Sequence, residues 1–196
     1  MEGYGRIYDD EDKTYISAVQ EFQGRQFSQD IPPIFWKSKC PTKIIIFAWL
    51  VFNNRNLTWD NLQKQNWHGP AICPLCMENS EYNLHIFFTC PEVLPIWQNI
   101  ATQCGFSHCS FSMFSEAFKK WSNMNKEQRA IPLLVIWAIW KWRNDRILRS
   151  KMDTNDSVVA LIISLYSSLG LDGKNRISYG RSLTTKSKRN RNGRDP

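Results

Sequence analysis

The sequence lacks any long hydrophobic run. Its longest apolar stretches, residues 44–52 and 131–140, are too short to cross a bilayer, which takes roughly 20 consecutive apolar residues. It also lacks a glycine-rich phosphate loop and a Gly-x-Ser-x-Gly turn around a nucleophilic serine. We therefore expect a soluble chain with no membrane partner and no small-molecule substrate.

The N-terminus lacks the features of a targeting segment. Residues 1–12 hold five acids against one arginine, whereas signal peptides begin with positive charge and transit peptides are poor in acids. A reducing compartment is therefore expected, in which cysteines stay free or bind metal rather than form disulfides. Cys40, Cys104 and Cys109 are interpreted as spare thiols.

What the sequence does contain is a cluster of metal-binding side chains. Cys73-Pro-Leu-Cys76 is followed by His85 and Cys90, a Cys-x2-Cys-x8-His-x4-Cys pattern within eighteen residues. Three thiolates and one imidazole complete the tetrahedral shell of Zn²⁺ and leave no open position for a substrate or an activated water. The pattern predicts a structural zinc site. Buried free thiols beside a core histidine are the alternative, which such regular spacing disfavours.

Residues around the cluster indicate how it is assembled. Pro74 favours an extended Cys73, so the short turn can aim both of its sulfurs at one point. A helix is predicted over residues 82–89, carrying His85. Cys90 would lie about 140° around a continuous helix from His85, so it must leave the helix to reach the metal. Pro91 favours this, because the residue before a proline avoids the helical region.

The excess positive charge lies entirely in the C-terminal tail. Residues 174–196 contain eight basic residues and one acid, whereas residues 1–173 hold equal numbers of each. A segment so polar is predicted to be disordered. Its basic run indicates either a nuclear-import signal or contacts to nucleic-acid phosphates. The residues assigned to nucleic-acid binding are Lys186, Lys188, Arg189, Arg191 and Arg194. A solvated tail that only aids solubility is the alternative.

Apolar periodicity predicts a mainly α fold, a small helical domain organised around one structural Cys3His zinc site. The predicted helices cover residues 15–22, 43–53, 59–64 with Thr58 as cap, 93–102, 111–121, 132–148 and 157–169, and residues 31–36 form an irregular lead-in. The β-branched residues 44–46 leave a strand as an alternative there. Four segments are expected: an acidic disordered N-terminus (1–14), the zinc-binding domain (15–105), a helical C-terminal region (106–172) and a basic disordered tail (173–196).

The predicted helix that begins near Pro132 is rich in both tryptophan and arginine. It could form a basic, aromatic nucleic-acid face in which Arg143, Arg146 and Arg149 contact phosphates. Alternatively, its tryptophans belong to the core while its lysine and arginine heads solvate the outer face. The second interpretation is favoured, because tryptophan is usually well buried.

The order of several short motifs resembles a known family. The motifs are Trp36-Lys-Ser-Lys-Cys-Pro41-Thr-Lys43, Phe47-Ala-Trp49, Asn56-Leu57-Thr58, Asn61-Leu62, Cys73-Pro-Leu-Cys76, His85, Cys90-Pro91, Trp97 and Trp137-Ala-Ile-Trp140-Lys-Trp-Arg143-Asn144. Together they resemble the reverse transcriptase zinc-binding domain of plant non-LTR (LINE-type) retrotransposons. The resemblance implies that Cys73, Cys76, His85 and Cys90 ligate zinc, and that the ancestral polyprotein handled RNA and DNA. Cys40 and the pair Tyr82-Asn83 depart from the family pattern without touching a ligand.

No catalytic centre accompanies these motifs. Reverse transcription needs paired carboxylates for two metal ions, typically on a Tyr-x-Asp-Asp turn, and an RNase H site needs its own acidic cluster. The sequence contains neither, and Asp9-Asp10-Glu11-Asp12 is interpreted as a solvated run. Cys104 and His108 have no orienting carboxylate nearby and are not assigned as nucleophile and base. We expect a non-enzymatic, stand-alone fragment without polymerase or RNase H domains.

Two functions remain open. The first is RNA or DNA binding through the basic tail, with nuclear localisation expected and cytoplasmic localisation as the alternative. The second is a co-opted protein-interaction or regulatory role, in which the nine tryptophans supply a partner surface on the helices. Tryptophan and arginine are the usual interface anchors, which keeps the second function open.

Overall fold

The computed structural model describes residues 33–105, 111, 113–125, 128–150 and 153–170. The helices in these ranges are α1 (Pro33–Trp36), α2 (Thr42–Phe52), α3 (Trp59–Gln63), a π-helical turn (His85–Thr89), α4 (Leu94–Cys104), α5 (Phe114–Ser122), α6 (Ala130–Arg149) and α7 (Asn155–Ser168). An isolated antiparallel bridge pairs Ile72 with Ser80, and the described residues contain no strand. The predicted mainly α fold is confirmed.

The most apolar segment of the chain forms helix α2, so the strand alternative for residues 44–46 is wrong. Its buried positions are Ile44, Ile45, Phe47, Ala48, Val51 and Phe52. Buried residues three and four positions apart share one face of a helix, whereas the faces of a strand alternate at every residue. Burial of this continuous stripe outweighs the modest helix penalty of three successive isoleucines.

Helix α6 lies at the centre of the molecule. It packs against α2, against α7 and against the π-helical turn, while α4 also packs on α7. Its first half is buried on all sides, as expected of an apolar helix surrounded by others. The helix begins at Ala130, two residues before the predicted start, with Pro132 in its first turn, where a missing N–H costs no hydrogen bond.

An aromatic cluster joins the π-helical turn to α4 and α5. Trp97 stacks on Trp121 with ring centroids 5.8 Å apart, and Phe88 packs on Trp97 at the same distance. The indole N–H of Trp97 donates to the carbonyl oxygen of Phe87 at 2.7 Å. Burying the indole ring with its N–H paired avoids the cost of an unpaired donor in the core.

The N-termini of α3 and α7 also differ from prediction. Thr58 does occupy the N-cap position of α3, but its hydroxyl donates to the Asp60 carboxylate at 2.6 Å and accepts no backbone N–H. Helix α7 begins at Asn155, before the predicted residue 157, because the hydroxyl of Thr154 accepts the N–H of Ser157 at 3.3 Å.

Several predicted features lie outside the described residues. They are the helix over 15–22, the acidic N-terminal run, His108, Cys109 and the basic tail. The predicted segment boundaries likewise remain a prediction. Of the helices in the described ranges, none is long and apolar enough to cross a membrane.

Candidate metal centre

The four predicted ligands come together at one point. The Sγ atoms of Cys73, Cys76 and Cys90 and a ring nitrogen of His85 all lie within 4.8 Å of one another. Cys76 Sγ is 3.4 Å from His85 Nε2. Tetrahedral Zn²⁺ with ordinary bond lengths places sulfur and nitrogen about 3.6 Å apart and two sulfurs about 3.8 Å apart. The donor set and its dimensions therefore fit a zinc ion.

The first two ligands lie on a tight turn of the backbone. The N–H of Cys73 donates to the carbonyl of Asn79 at 2.7 Å, and the N–H of Met77 donates to Cys73 at 2.9 Å. Met77 has φ +57°, which reverses the chain directly after Cys76. The bridge from Ile72 to Ser80 closes the base of this turn. These contacts define the metal loop, residues 71–81.

The other two ligands flank a π-helical turn. The N–H of Cys90 donates to the carbonyl of His85 at 2.8 Å, a bond that spans five residues. In such a turn residues five apart are one turn apart, so both ligands reach the same side. Cys90 itself is extended, with φ −66° and ψ 129°. Its predicted departure from the helix is confirmed, but the helix is a widened turn rather than a regular one.

Contacts within the cluster shift the pKa values of its four side chains in different directions. A hydrogen bond from the Cys90 thiol lowers the pKa of Cys73, and the same contact together with burial raises the pKa of Cys90. Burial opposes ionisation of Cys76, but backbone N–H donors from Asn79 and Glu78 outweigh it, so its pKa is lowered. A hydrogen bond with Cys73 raises the pKa of His85. A metal ion displaces such protons when it binds, because only thiolates and a neutral imidazole can ligate it.

Helix α6 contacts the metal loop through Arg146. Its guanidinium donates from Nη1 to the carbonyl of Leu75 at 3.0 Å and to that of Pro74 at 3.4 Å, the two residues between the first pair of cysteines. It also lies 5.6 Å from the ring of Trp142. These carbonyls occupy its Nη1 donor, and the suggested phosphate contact for Arg146 stays a prediction.

A buried ion pair makes a second connection. Arg143 Nη2 lies 2.6 Å from Glu81 Oε1, both side chains are almost fully buried, and the guanidinium stacks on Trp140 at 4.8 Å. The same Glu81 oxygen accepts the N–H of Trp59 at 3.0 Å, the first residue of α3. Burial raises the pKa of Glu81 although Arg143 attracts its charge. The phosphate and solvent roles suggested for Arg143 are therefore wrong.

Sequence reasoning missed these two connections. The tryptophans of α6 are core as favoured, with Trp140 and Trp142 buried and Trp137 partly buried. Of the three arginines, Arg149 alone reaches outward, with 68% of its side chain exposed, and it pairs with Asp145 at 3.2 Å. No pattern identified Glu81 as a buried partner, since its contact with Arg143 spans 62 residues.

Comparison with known proteins agrees with this site. Residues 14–97 match the family described as zinc-binding in reverse transcriptase, and all four clustered residues lie within that stretch. The resemblance stated from the sequence is confirmed, and the metal cluster gains a family context in which binding of a metal ion is the defining property.

One curated relative is similar to a longer part of the chain than the family match covers. It is a protein of Arabidopsis thaliana named "Putative ribonuclease H protein", 27% identical over 132 residues that cover 63% of this chain and 21% of that protein. The chain thus spans about a fifth of the length of the relative that it matches. No solved structure matches the chain.

Two other described thiols play no part in the cluster. Cys40 is buried between α1 and α2, and burial raises its pKa to about 12. Cys104, at the end of α4, is partly buried, and burial raises its pKa to about 11. Neither is a reactive thiolate at neutral pH.

Proposed function

We propose that this protein is a non-catalytic zinc protein of retrotransposon origin, in which one Zn²⁺ stabilises the fold and other surfaces bind RNA or DNA. The observation that carries the proposal is the closed Cys3His cluster. It is the one metal-ligand group found among the described residues, and four protein donors leave no coordination position for a substrate.

Burial favours a structural role for the ion. Cys73, Cys90 and His85 are each almost completely buried, and among the other apolar residues of the metal loop Leu75 alone is buried. Small segments of this kind depend on the metal for their free energy of folding, because the site exists only in the folded chain. Zinc is the ion that such a soft tetrahedral donor set selects.

A variant that removes one ligand tests the zinc part. Cys76→Ser should purify with far less than one zinc per chain, and should lose cooperative thermal unfolding, since structural zinc contributes roughly 10 kcal/mol or more of binding free energy. Cys104→Ser is the matched control and should keep both properties. Full zinc occupancy in Cys76→Ser would contradict the assignment.

Nucleic-acid binding is supported by the tail. Lys186, Lys188, Arg189, Arg191 and Arg194 fall within 23 residues that hold the whole positive excess of the chain. Such a segment releases counterions from phosphates without reading sequence. The same run supports nuclear localisation as part of the proposal.

Salt dependence tests this part. The full chain should bind a random RNA or DNA oligonucleotide, with affinity falling steeply as salt rises, and deletion of residues 174–196 should flatten that dependence. Absence of binding by the full chain at low salt would remove the nucleic-acid function.

A protein-binding function is the second candidate. The observation that favours it is a run of exposed apolar side chains on and beside the metal loop: Trp67, Ile72, Met77 and Tyr82. Exposed apolar patches mark interaction sites. A partner captured by the intact chain but not by an Ile72→Ser, Met77→Ser double variant, together with no nucleic-acid binding, would favour this function instead.

A further inference from the structure

The connection between α1 and α2 presents aromatic and positively charged side chains outward. Trp36 is 51% exposed, and Lys37 and Lys39 are exposed beside it. Lys43, in the first turn of α2, is exposed as well. We call these four residues the Trp36–Lys43 surface. It does not include the metal ligands, and in the sequence it lies more than 120 residues before the basic tail.

Inward-pointing residues hold this surface in place. Phe35 and Cys40, at either end of the connection, are buried, and Phe35 packs on Phe118 with ring centroids 5.6 Å apart. Ser38 closes the turn, because its N–H and its hydroxyl both donate to the carbonyl of Phe35, at 3.0 Å and 2.6 Å. The exposed tryptophan therefore projects from an anchored turn rather than from a chain end.

The sequence around this turn carries charge of one sign. The sequence has no acid between Asp30 and Asp60, a stretch that contains Lys37, Lys39, Lys43 and Arg55. Among ion pairs within the described residues, none involves Lys37 or Lys39. The chain before the tail is electrically neutral as a whole, so this is a local concentration of positive charge.

We propose that the Trp36–Lys43 surface binds single-stranded nucleic acid, with a base stacked on the indole of Trp36 and neighbouring phosphates held by Lys37 and Lys39. A rigid aromatic face within a basic surface is the combination that single-strand binding proteins use. Base faces are free to stack in single strands, whereas in duplexes they are already stacked on each other. This inference rests on the proposed nucleic-acid function and adds a binding surface to it.

An acidic peptide is the other partner that lysines would fit. Trp36 favours the nucleic acid, because each nucleotide carries both a flat base that can stack on the indole and a phosphate that a lysine can hold. An acidic peptide offers negative charge but no regular stacking partner. RNA and DNA share the groups that this surface would contact, so both serve as probes.

The test uses the full chain and the chain without residues 174–196, each with a fluorescein-labelled single-stranded RNA, the same DNA sequence and its duplex. In both chains Trp36→Ala should weaken single-strand binding about tenfold and abolish the preference over duplex. Trp67→Ala is the matched control, because Trp67 is similarly exposed, at 50%, but belongs to a different segment of the chain, after α3. It should bind like the parent.

The lysines are tested by the salt dependence. Replacing Lys37 and Lys39 by alanine should lower the slope of log affinity against log salt by about 1.4, because each single-strand phosphate that a lysine neutralises adds about 0.7 to that slope. Lys64→Ala, an exposed lysine that pairs with Asp60 at 3.6 Å, is the control and should leave the slope unchanged.

The outcomes separate this inference from the function on which it rests. Binding that disappears with the tail and ignores Trp36→Ala would overturn the surface and leave the proposed function intact. No binding by the full chain would overturn both. Equal affinity for polyglutamate, with the same loss in Trp36→Ala, would assign the surface to an acidic peptide instead.

Discussion

Arg146 shows how one side chain beyond the family match serves the metal site. Its two contacts are to the carbonyls of Pro74 and Leu75, within the turn that aims both cysteine sulfurs. Groups that orient metal ligands without touching the ion commonly change metal affinity by about 10- to 100-fold when they are removed. Arg146 acts on the backbone between two ligands, so we expect an effect at the lower end of that range.

Arg146→Ala should therefore release zinc about tenfold faster to a chelator, measured by a colorimetric dye, with helical circular dichroism recorded on the same sample. The reason is that the turn between Cys73 and Cys76 loses the donor that holds the carbonyls of Pro74 and Leu75. Arg149→Ala removes an exposed arginine from the same helical turn and should release zinc at the parent rate. Equal rates in both variants would show that the Arg146 contacts do not hold the loop.

Cys104 offers a prediction about pH. Burial raises its pKa to about 11, so the thiolate that reacts with iodoacetamide is scarce at neutral pH. Its alkylation rate should rise about tenfold per pH unit from pH 7 to pH 10, because below the pKa the thiolate fraction grows by that factor. Peptide mass spectrometry would follow it. A rate that levels off near pH 9 would show an ordinary, exposed thiol.

The elements are joined by the Glu81–Arg143 pair. Glu81 ends the metal loop, receives the first N–H of α3 and pairs with a side chain of α6, so one carboxylate connects three elements. A buried pair of this kind adds little net stability over an apolar replacement, but removing one partner leaves a buried charge without a counter-ion. Its role is to fix how the three elements meet.

A double-mutant cycle tests this connection. Glu81→Gln keeps an acceptor oxygen for Trp59 but leaves Arg143 unpaired, and should cost about 3–5 kcal/mol of unfolding free energy in urea. Adding Arg143→Met should recover much of that loss, because the buried charge is then gone. The pair Arg149–Asp145, whose arginine is largely exposed, is the control, for which the coupling should stay below about 1 kcal/mol. Additive effects at Glu81 and Arg143 would contradict the connection.

Periodicity was sufficient to predict most helices and insufficient to predict the contacts between them. The stripe from Ile44 to Phe52 and the apolar residues of α6 repeat at helical spacing, so their burial follows from sequence. The ligand set followed from cysteine and histidine spacing. The π-helical turn did not, because a widened turn differs from a regular one by a single hydrogen bond, Cys90 to His85, that no residue type encodes.

The sequence also could not predict polar contacts between residues that are far apart in the chain. Arg143 and Arg146 lie on the same helix as the exposed Arg149 and share its residue type. Only the folded chain brings Glu81 and the carbonyl of Leu75 to them. The contacts span 62 and 71 residues. Sequence alone therefore assigned to solvent or phosphate the side chains that hold the metal loop.

At the scale of the whole molecule, we expect the metal loop and the central helix to unfold as one cooperative unit. Helix α6 packs on α2 and on the π-helical turn, and it supplies both arginines that contact the metal loop. The matched family segment ends at residue 97, and the predicted zinc-binding domain ends at residue 105. Either boundary would separate the metal site from the helix that covers it.

A truncation tests this unit. Residues 14–105 alone would expose the faces of Phe47 and Phe87 that pack on Trp140 and leave Glu81 without Arg143. We expect this fragment to bind zinc through its four local ligands but to show no cooperative thermal unfolding, because its apolar core lacks α6. Residues 14–170, which restore α6 and α7, should unfold in one cooperative transition at the temperature of the full chain. Cooperative unfolding of the shorter fragment at that same temperature would show that the zinc-binding domain is independent of the central helix.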